Sequence, residues 1–225
     1  MQKKSRIFNV YEHWEVNNHL ADEMGQQLNA EVSAQIPEEH ASRVQSSEEN
    51  LTQSQVVLKR LLAAHEAWFD VSRDFTLSDR TFPGFAAFHA NDSRYVGSKN
   101  VKLWEVNSHE YILFDIVEHL EKNAFLRDVD FVKTEGLQLV TLGKDHMSTN
   151  LSLVIIADST EEGIDAVVRG VHWRKNYLLG FKGWTDLRCA VVDLSRDPRK
   201  RIITNAAGKQ LRQALEANAA LPVAN

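Results

Sequence analysis

The fold of the second half of this chain is decided by residues 178–194, LLGFKGWTDLRCAVVDL. Two apolar runs, which we predict to be strands, flank a polar joint at residues 182–186 that contains Gly183. A charged loop and the short apolar run at residues 202–204 follow, so the second strand should begin a hairpin. The joint therefore places basic, aromatic and acidic side chains close to a glycine, beside a sheet.

A strand and a helix come before this stretch. Residues 151–157 form a continuous apolar run, which is typical of a central strand buried on both faces. Acidic and hydroxyl residues at 158–162 then cap a helix whose apolar stripe runs from Ile164 to Val171. Because a strand, a helix and a strand in this order make a right-handed crossover, we expect two of these strands to be parallel.

The earlier part of the chain changes period several times. Apolar residues recur at helical spacing over residues 52–68, whereas residues 69–114 show short apolar bursts separated by turn clusters. The bursts predict an antiparallel meander of three to five strands. Helical spacing returns at residues 115–127, and a last helix is expected to begin near Ala207. Together these patterns predict an α+β fold, an antiparallel-rich mixed β-sheet with helices packed on it.

The expected domain organisation has four parts. Residues 1–36 form an N-terminal amphipathic helix that ends before Pro37, and residues 37–51 form a polar, acidic linker or exposed loop. Residues 52–218 form the α+β domain, and residues 219–225 form a frayed tail. We expect the N-terminal helix either to pack on the main domain or to pair with a second copy in a homodimer.

The composition limits the classes of protein. The chain has 225 residues, 25% of them charged and 43% hydrophobic, and a formal net charge of −5. These values are typical of soluble globular proteins, and the acidic balance argues against a general nucleic-acid-binding protein. No window approaches the roughly 20 apolar residues that span a bilayer, and the N-terminus lacks a secretory signal. We therefore expect a cytoplasmic protein with no membrane partner.

The strongest candidate site lies in two segments, the loop at residues 145–149 (DHMST) and the joint at residues 182–188. The tryptophan offers a flat face for stacking, and the lysine and arginine offer positive charge to a phosphate or carboxylate. In the loop, an aspartate can orient a histidine, and a hydroxyl can act as nucleophile or donor. The expected ligand-binding residues are His146, Ser148, Lys182, Trp184, Asp186 and Arg188.

A purely structural interpretation competes at each of these positions. Ser148 and its neighbours would then end the loop and set the register of the next strand. Gly183 would form a bulge, Trp184 would fill the core, and Asp186 would pair with Arg188 or Lys182. The single cysteine, Cys189, excludes an intramolecular disulfide and lies in an apolar run, so we expect a buried, unreactive thiol.

Other chemical signals are weak. No phosphate-binding loop, dinucleotide fingerprint, HExxH or GxSxG motif occurs. Asp115 and His119 lie four residues apart on an expected helix, but a solvated pair explains them, and His65 is expected at the surface or at the boundary of the core. A restriction-type nuclease would need a lysine that is missing after Glu105. We therefore expect no metal and no cofactor.

The motifs DHMST at residues 145–149 and GFKGWTDLRCAVVDL, IITN and Gly208-Lys209 within residues 180–209 resemble those of an uncharacterised family of bacterial cytoplasmic proteins. The resemblance covers roughly residues 54–216. Because that family has no assigned activity, the resemblance implies no catalytic residue. It does imply that the loop and the joint belong to one domain.

Two classes of function follow from these residues. We expect a non-enzymatic cytoplasmic binding or interaction protein, whose loop and joint suit a small anionic ligand or an acidic segment of a partner. The alternative is a hydrolase acting on a phosphorylated or nucleic-acid substrate. A hydrolase predicts that His146 converges with Asp186 or Asp158 in one concave pocket. A binding protein predicts that Trp184 and the basic residues lie exposed on a shallow face.

Overall fold

The computed structural model describes residues 51–89, 108–143 and 146–219. Within them, the chain forms four helices and seven strands. The helices are α1 (Gln53–His65), α2 (Lys122–Thr134), α3 (Ile164–Gly170) and α4 (Lys209–Ala219). The strands are β1 (Asp70–Leu77), β2 (Arg80–His89), β3 (Ser108–Leu120), β4 (Ser148–Thr160), β5 (Arg174–Asn176), β6 (Trp184–Asp193) and β7 (Ile202–Thr204). Short 3-10 turns occupy Glu135–Leu139, Leu178–Gly180 and Pro198–Lys200.

All seven strands form one mixed sheet in the order β1-β2-β3-β4-β6-β5, with β7 also paired to β6. The pairs β1–β2, β2–β3, β5–β6 and β6–β7 are antiparallel, whereas β3–β4 and β4–β6 are parallel. The strand β5 pairs with the first residues of β6, and β7 pairs with its second half. This arrangement confirms the predicted α+β class and the mixed sheet.

Helices pack on both faces of the sheet. The helices α2 and α3 cover one face, where Phe125 and Val168 belong to the same buried cluster as Leu153 of β4. On the other face, Leu58 of α1 lies close to Gly84 of β2. The helix α4 adds Leu211 and Leu215, which line a small apolar cavity together with His65, Ile112, Phe114 and Val154. The core therefore has three layers: helix, sheet and helix.

The strand β4 is the central strand of the sheet. It pairs in parallel with β3 on one side and with β6 on the other, and residues 151–157 are all buried. Since neither face nor edge of these residues meets water, every position can be apolar. The continuous apolar run had predicted such a strand, and the parallel pairing of β4 with β6 confirms the expected parallel pair.

Three sequence-based expectations about local structure were wrong. Residues 115–120 continue strand β3, because their backbone pairs with β4 as far as Leu120 opposite Thr160, and the helix begins only at Lys122. The run expected as a strand at residues 178–181 is instead an exposed 3-10 turn, Leu178–Gly180, followed by the exposed Phe181. His65 is buried, because its ring packs edge-on against Phe69 and Phe114.

Some expectations concern residues outside the described ranges. They include the N-terminal helix, the expected linker except for its last residue (Leu51), the tail after residue 219, and Asp145 of the candidate loop. The apolar bursts at 95–96 and 101–106, and the nuclease-like Glu105, also lie outside them. Among the residues that the structure describes, no helix has both the length and the apolar composition needed to cross a membrane.

Candidate functional site

Four of the six expected site residues lie on one face of the sheet. Ser148 is the register partner of Trp184, and Asn150 and Ser152 are the partners of Asp186 and Arg188. Because alternate residues of a strand point to the same side, these side chains share the face on which α1 and α4 pack. Ser108 and Glu110 of β3 extend the set. We call it the polar face: Ser108, Glu110, Ser148, Asn150, Ser152, Trp184, Asp186 and Arg188.

The innermost part of the polar face is a buried charged network. Arg188 donates through Nη1 to Oε1 of Glu110 at 2.9 Å and through Nη2 to Oε1 of Gln210 at 2.6 Å. Ser152 also donates to Oε1 of Glu110, at 3.1 Å. The side chains of Arg188 and Glu110 are only 9% and 6% exposed. Arg188 was expected from the sequence to offer positive charge to a ligand; in the structure this buried charge is paired with Glu110 inside the protein.

The outer part of the polar face centres on Asp186. Its carboxylate accepts two hydrogen bonds from Arg174, from Nε to Oδ1 and from Nη2 to Oδ2, both at 2.6 Å. The guanidinium also lies 5.2 Å from the centre of the half-buried Trp184 ring, whose Nε1 donates to Asp186 at 3.2 Å. The hydrogen bond to Asp186 raises the pKa of Arg174 above its usual range. The expected pairing of Asp186 with Lys182 or Arg188 is therefore replaced by a pairing with Arg174.

An open groove lies beside this pair. Its volume is about 370 Å³. Arg174 and Asp186 form one side, and the segment that leads into α4 forms the other. The lining residues are Val171, His172, Trp173, Arg174, Asp186, Asn205, Ala206 and Ala207. The arrangement places a fixed, accessible guanidinium beside aromatic and apolar walls.

The buried Asn205 holds the far side of the groove in place. Its Oδ1 accepts from the backbone N–H groups of Cys189 and Gly208, at 3.0 and 2.8 Å. Its Nδ2 donates to the carbonyls of Val171 and Leu187, at 3.1 and 3.0 Å. One side chain therefore ties β6, the residues after α3 and the start of α4 together. Cys189 itself is buried, as expected, and burial raises the pKa of its thiol to about 12.

His146 and Lys182 do meet, but on the other side of the joint. Nδ1 of His146 lies 2.8 Å from the backbone oxygen of Lys182, which can only accept, so Nδ1 carries the proton. Nε2 lies 2.9 Å from Oγ1 of the fully buried Thr149. The two segments also approach closely at Gly183, which has a φ of +77°. A Cβ atom at this position would lie only 2.1 Å from the backbone oxygen of Met147, so only glycine fits there. The loop and the joint thus belong to one packed unit.

A row of histidines runs along this second face. The rings of His89 and His109 are 5.5 Å apart, and those of His109 and His146 are 6.4 Å apart. Burial, followed by the neighbouring histidines, lowers the pKa of His109, and its buried Nδ1 has no hydrogen-bond partner among the described residues. Across the ranges that the structure describes, no group of three or more histidine, cysteine or acidic residues could hold a metal ion.

The hydrolase alternative required His146 to converge with Asp186 or Asp158 in one pocket, and these three described residues do not converge. His146 lies on the face of Thr149, whereas Asp186 lies on the polar face, so the sheet separates them. Asp158 lies near the opposite end of β4 from Thr149. The only hydroxyl within reach of the imidazole is that of Thr149 among the described side chains, and it has no access to solvent.

Sequence reasoning missed Arg174, Glu110 and Asn205 as parts of this region. Arg174 follows the expected helix without any motif, and Glu110 precedes the apolar run at residues 111–114 without one. One signal did exist, because a charged residue directly before a run such as residues 111–114 needs a buried partner. That partner, Arg188, lies 78 positions away in the sequence, and only the order of the strands in the sheet brings it next to Glu110.

Comparisons with known proteins give a family but no activity. No curated protein and no solved structure matches the chain significantly. One family model, described as a domain of unknown function (DUF8052), matches residues 53–217, close to the span of the resemblance noted in the sequence. The chain therefore belongs to the family of the domain of unknown function DUF8052.

Proposed function

We propose that this protein is a non-enzymatic cytoplasmic binding protein that takes a small anionic ligand, or a carboxylate of an acidic partner segment, in the groove beside Arg174. The observation that carries the proposal is the state of the Arg174 side chain. It lines the groove and is 54% exposed, although two hydrogen bonds and the Trp184 ring fix its orientation.

A guanidinium held in this way suits an anion. Among the described residues, Arg174 uses Nε and Nη2 for Asp186, which leaves Nη1 for a ligand in the groove. A planar guanidinium matches a carboxylate or a phosphate, and its fixed orientation lowers the entropy lost on binding. The aromatic wall at Trp173 gives apolar contact to the rest of the ligand.

The separation of His146 from Asp186 supports binding in preference to hydrolysis. Each of these groups has its hydrogen bonds satisfied by the protein itself, His146 by Lys182 and Thr149, and Asp186 by Arg174 and Trp184. General acid or base catalysis needs a proton-transfer group within hydrogen-bonding reach of a substrate. The groove offers instead the guanidinium of Arg174, which Asp186 and Trp184 hold in a fixed orientation.

Thermal unfolding in the presence of three probes tests the proposal: inorganic phosphate, citrate and a glutamate-rich peptide. A probe at 100 times its dissociation constant should stabilise the fold by about 2.7 kcal/mol. Arg174→Gln should abolish that gain. Arg199→Gln makes the same charge change at an exposed position beyond the other end of β6, and should preserve it. The proposal fails if no probe stabilises the protein, or if Arg174→Gln responds as the wild type does.

A further inference from the structure

The connection between β5 and β6 carries an exposed apolar turn. We call residues 178–181, Leu-Leu-Gly-Phe, the hairpin tip. Leu178 is 70% exposed, Leu179 is 95% exposed and Phe181 is 89% exposed, which makes them the three most exposed large apolar residues that the structure describes. Soluble proteins rarely expose such side chains side by side unless they contact another surface.

The backbone of the hairpin tip holds these side chains outward under strain. Leu178 and Leu179 both adopt positive φ angles, 46° and 54°, and Gly180 follows at 94°. The left-handed conformation is unfavourable for a residue with a branched side chain, and two in succession are rare. Neither leucine buries its side chain against the protein in return. Strain without internal compensation is typical of functional segments.

The residues around the hairpin tip are basic and aromatic. From residue 166 to residue 185 the chain has no acidic residue, although its net charge is −5. Arg174 and Lys175 lie on β5 before the tip, and Lys182 directly follows the tip, before β6 begins. The half-buried aromatic residues of the same segment are Trp173, Tyr177 and Trp184. Apolar residues therefore lie at the tip, with aromatic and cationic residues behind them.

We propose that the hairpin tip inserts into the interfacial layer of an anionic lipid bilayer, with Lys175 and Lys182 against the lipid headgroups. The three apolar side chains of the tip are 70–95% exposed, so a fluid apolar layer can close around each of them. Tryptophan and tyrosine favour the level of the headgroups, and lysine and arginine are attracted by anionic lipids. A peripheral contact of this kind needs no spanning segment, so the lack of an apolar span in the sequence does not exclude it.

Sedimentation of the full-length protein with lipid vesicles tests the proposal. We expect binding to vesicles of phosphatidylcholine mixed with phosphatidylserine, weak binding to phosphatidylcholine alone, and loss of binding at high salt. The double variant Leu179→Ser/Phe181→Ser should lower the partition coefficient at least about tenfold, because each side chain loses its apolar burial. The matched control Leu126→Ser/Leu142→Ser changes two partly exposed leucines elsewhere and should leave binding unchanged.

Further variants separate charge from apolar insertion. Lys175→Gln/Lys182→Gln should weaken binding to the anionic vesicles only, whereas Arg199→Gln/Lys200→Gln should have no effect. The proposal is overturned if the wild type binds neither vesicle, or if the tip variant binds as the wild type does. Capture of a glutamate-rich peptide through the tip without vesicle binding would also overturn it, in favour of a protein partner.

The test is independent of the groove. The tip variants are at exposed positions, so circular dichroism should show an intact fold, and their stabilisation by phosphate or citrate should equal that of the wild type. Loss of vesicle binding with intact anion binding supports the bilayer contact alone. If the protein binds vesicles but no anion stabilises it, the bilayer contact of the hairpin tip is still supported, and only the proposal of anion binding in the groove is refuted.

Discussion

Replacing Gly183 by alanine should break the contact between the 146–147 segment and the joint. Gly183 has a φ of +77°, and an added Cβ would lie 2.1 Å from the oxygen and 2.6 Å from the carbon of the Met147 carbonyl. Both are main-chain atoms, so no side-chain rotation relieves the clash. Gly180 is a matched control, since its φ is +94° but nothing lies within 4 Å of its added Cβ.

The two variants should differ by about 2 kcal/mol. Both take on the strain of a left-handed alanine, about 1–2 kcal/mol, which is partly offset because alanine restricts the unfolded chain. Gly183→Ala must also move the Met147 carbonyl, which accepts from the N–H of Trp184 at 3.2 Å. The hydrogen bond between His146 and the oxygen of Lys182, 2.8 Å long, is lost with it. Each bond contributes about 1 kcal/mol.

Urea unfolding followed by tryptophan fluorescence measures both variants, with melting temperatures as a second readout. We expect Gly180→Ala to lose about 1 kcal/mol and Gly183→Ala about 3 kcal/mol, or roughly 2–4 °C per kcal/mol in a domain of this size. Equal losses in the two variants would show that backbone strain alone matters. In that case the close approach of Gly183 to Met147 does not hold the loop and the joint together.

Three other predictions follow from buried polar groups. Asn205→Ala should lower the free energy of unfolding by about 4 kcal/mol in urea titrations, because it removes four hydrogen bonds; a loss under about 1 kcal/mol would contradict this. Arg188→Met should cost about 3–5 kcal/mol, because it removes the cation that pairs with the buried carboxylate of Glu110, and adding Glu110→Gln should restore much of the loss; an additive double variant would refute the pairing. Burial lowers the pKa of His65 and His109 in the fold. The unfolded chain therefore takes up more protons below about pH 6.5, so the free energy of unfolding should decrease as the pH is lowered below that value. The dependence of this free energy on pH should be weaker in a His65→Phe variant.

The interior of the sheet was predictable because burial there is complete. A run such as residues 151–157 can be apolar at every position only when strands cover both edges and helices cover both faces. The short turn at Ser78 and Asp79 was equally visible, since it separates two apolar stretches. In both cases the local pattern and the tertiary environment demand the same residues.

The C-terminal end of β3 and the start of β6 were not predictable, because there the local pattern and the tertiary environment disagree. Ile116 and Leu120 have a helical spacing, but their backbone groups find partners along β4 as far as Thr160. Tertiary pairing therefore overrides the local period. At the hairpin tip, an apolar sequence that normally predicts a strand is exposed, and nothing in its pattern distinguishes a buried strand from a surface contact.

The chemistry of the candidate site was better predicted than its connections. Trp184 and Asp186 do share an accessible region with a cation, but that cation is Arg174 and not Lys182 or Arg188. The choice depends on the short strand β5, which brings Arg174 opposite Asp186 in the ladder. Three polar residues are too few to show strand character in a sequence.

The buried network and the groove form one mechanical unit through α4. Arg188 binds Gln210 in the first turn of that helix, and Asn205 caps the residues just before it, so both fix the segment at Ala206 and Ala207 that lines the groove. Changes at Arg188 or Asn205 therefore alter the shape of the groove as well as the stability of the fold. Arg174 stands outside this unit, because its partners, Asp186 and Trp184, both lie at the start of β6. Substitution of Arg174 should consequently abolish anion binding without destabilising the fold. Substitution of Arg188 or Asn205, which hold α4, should weaken anion binding and destabilise the fold together.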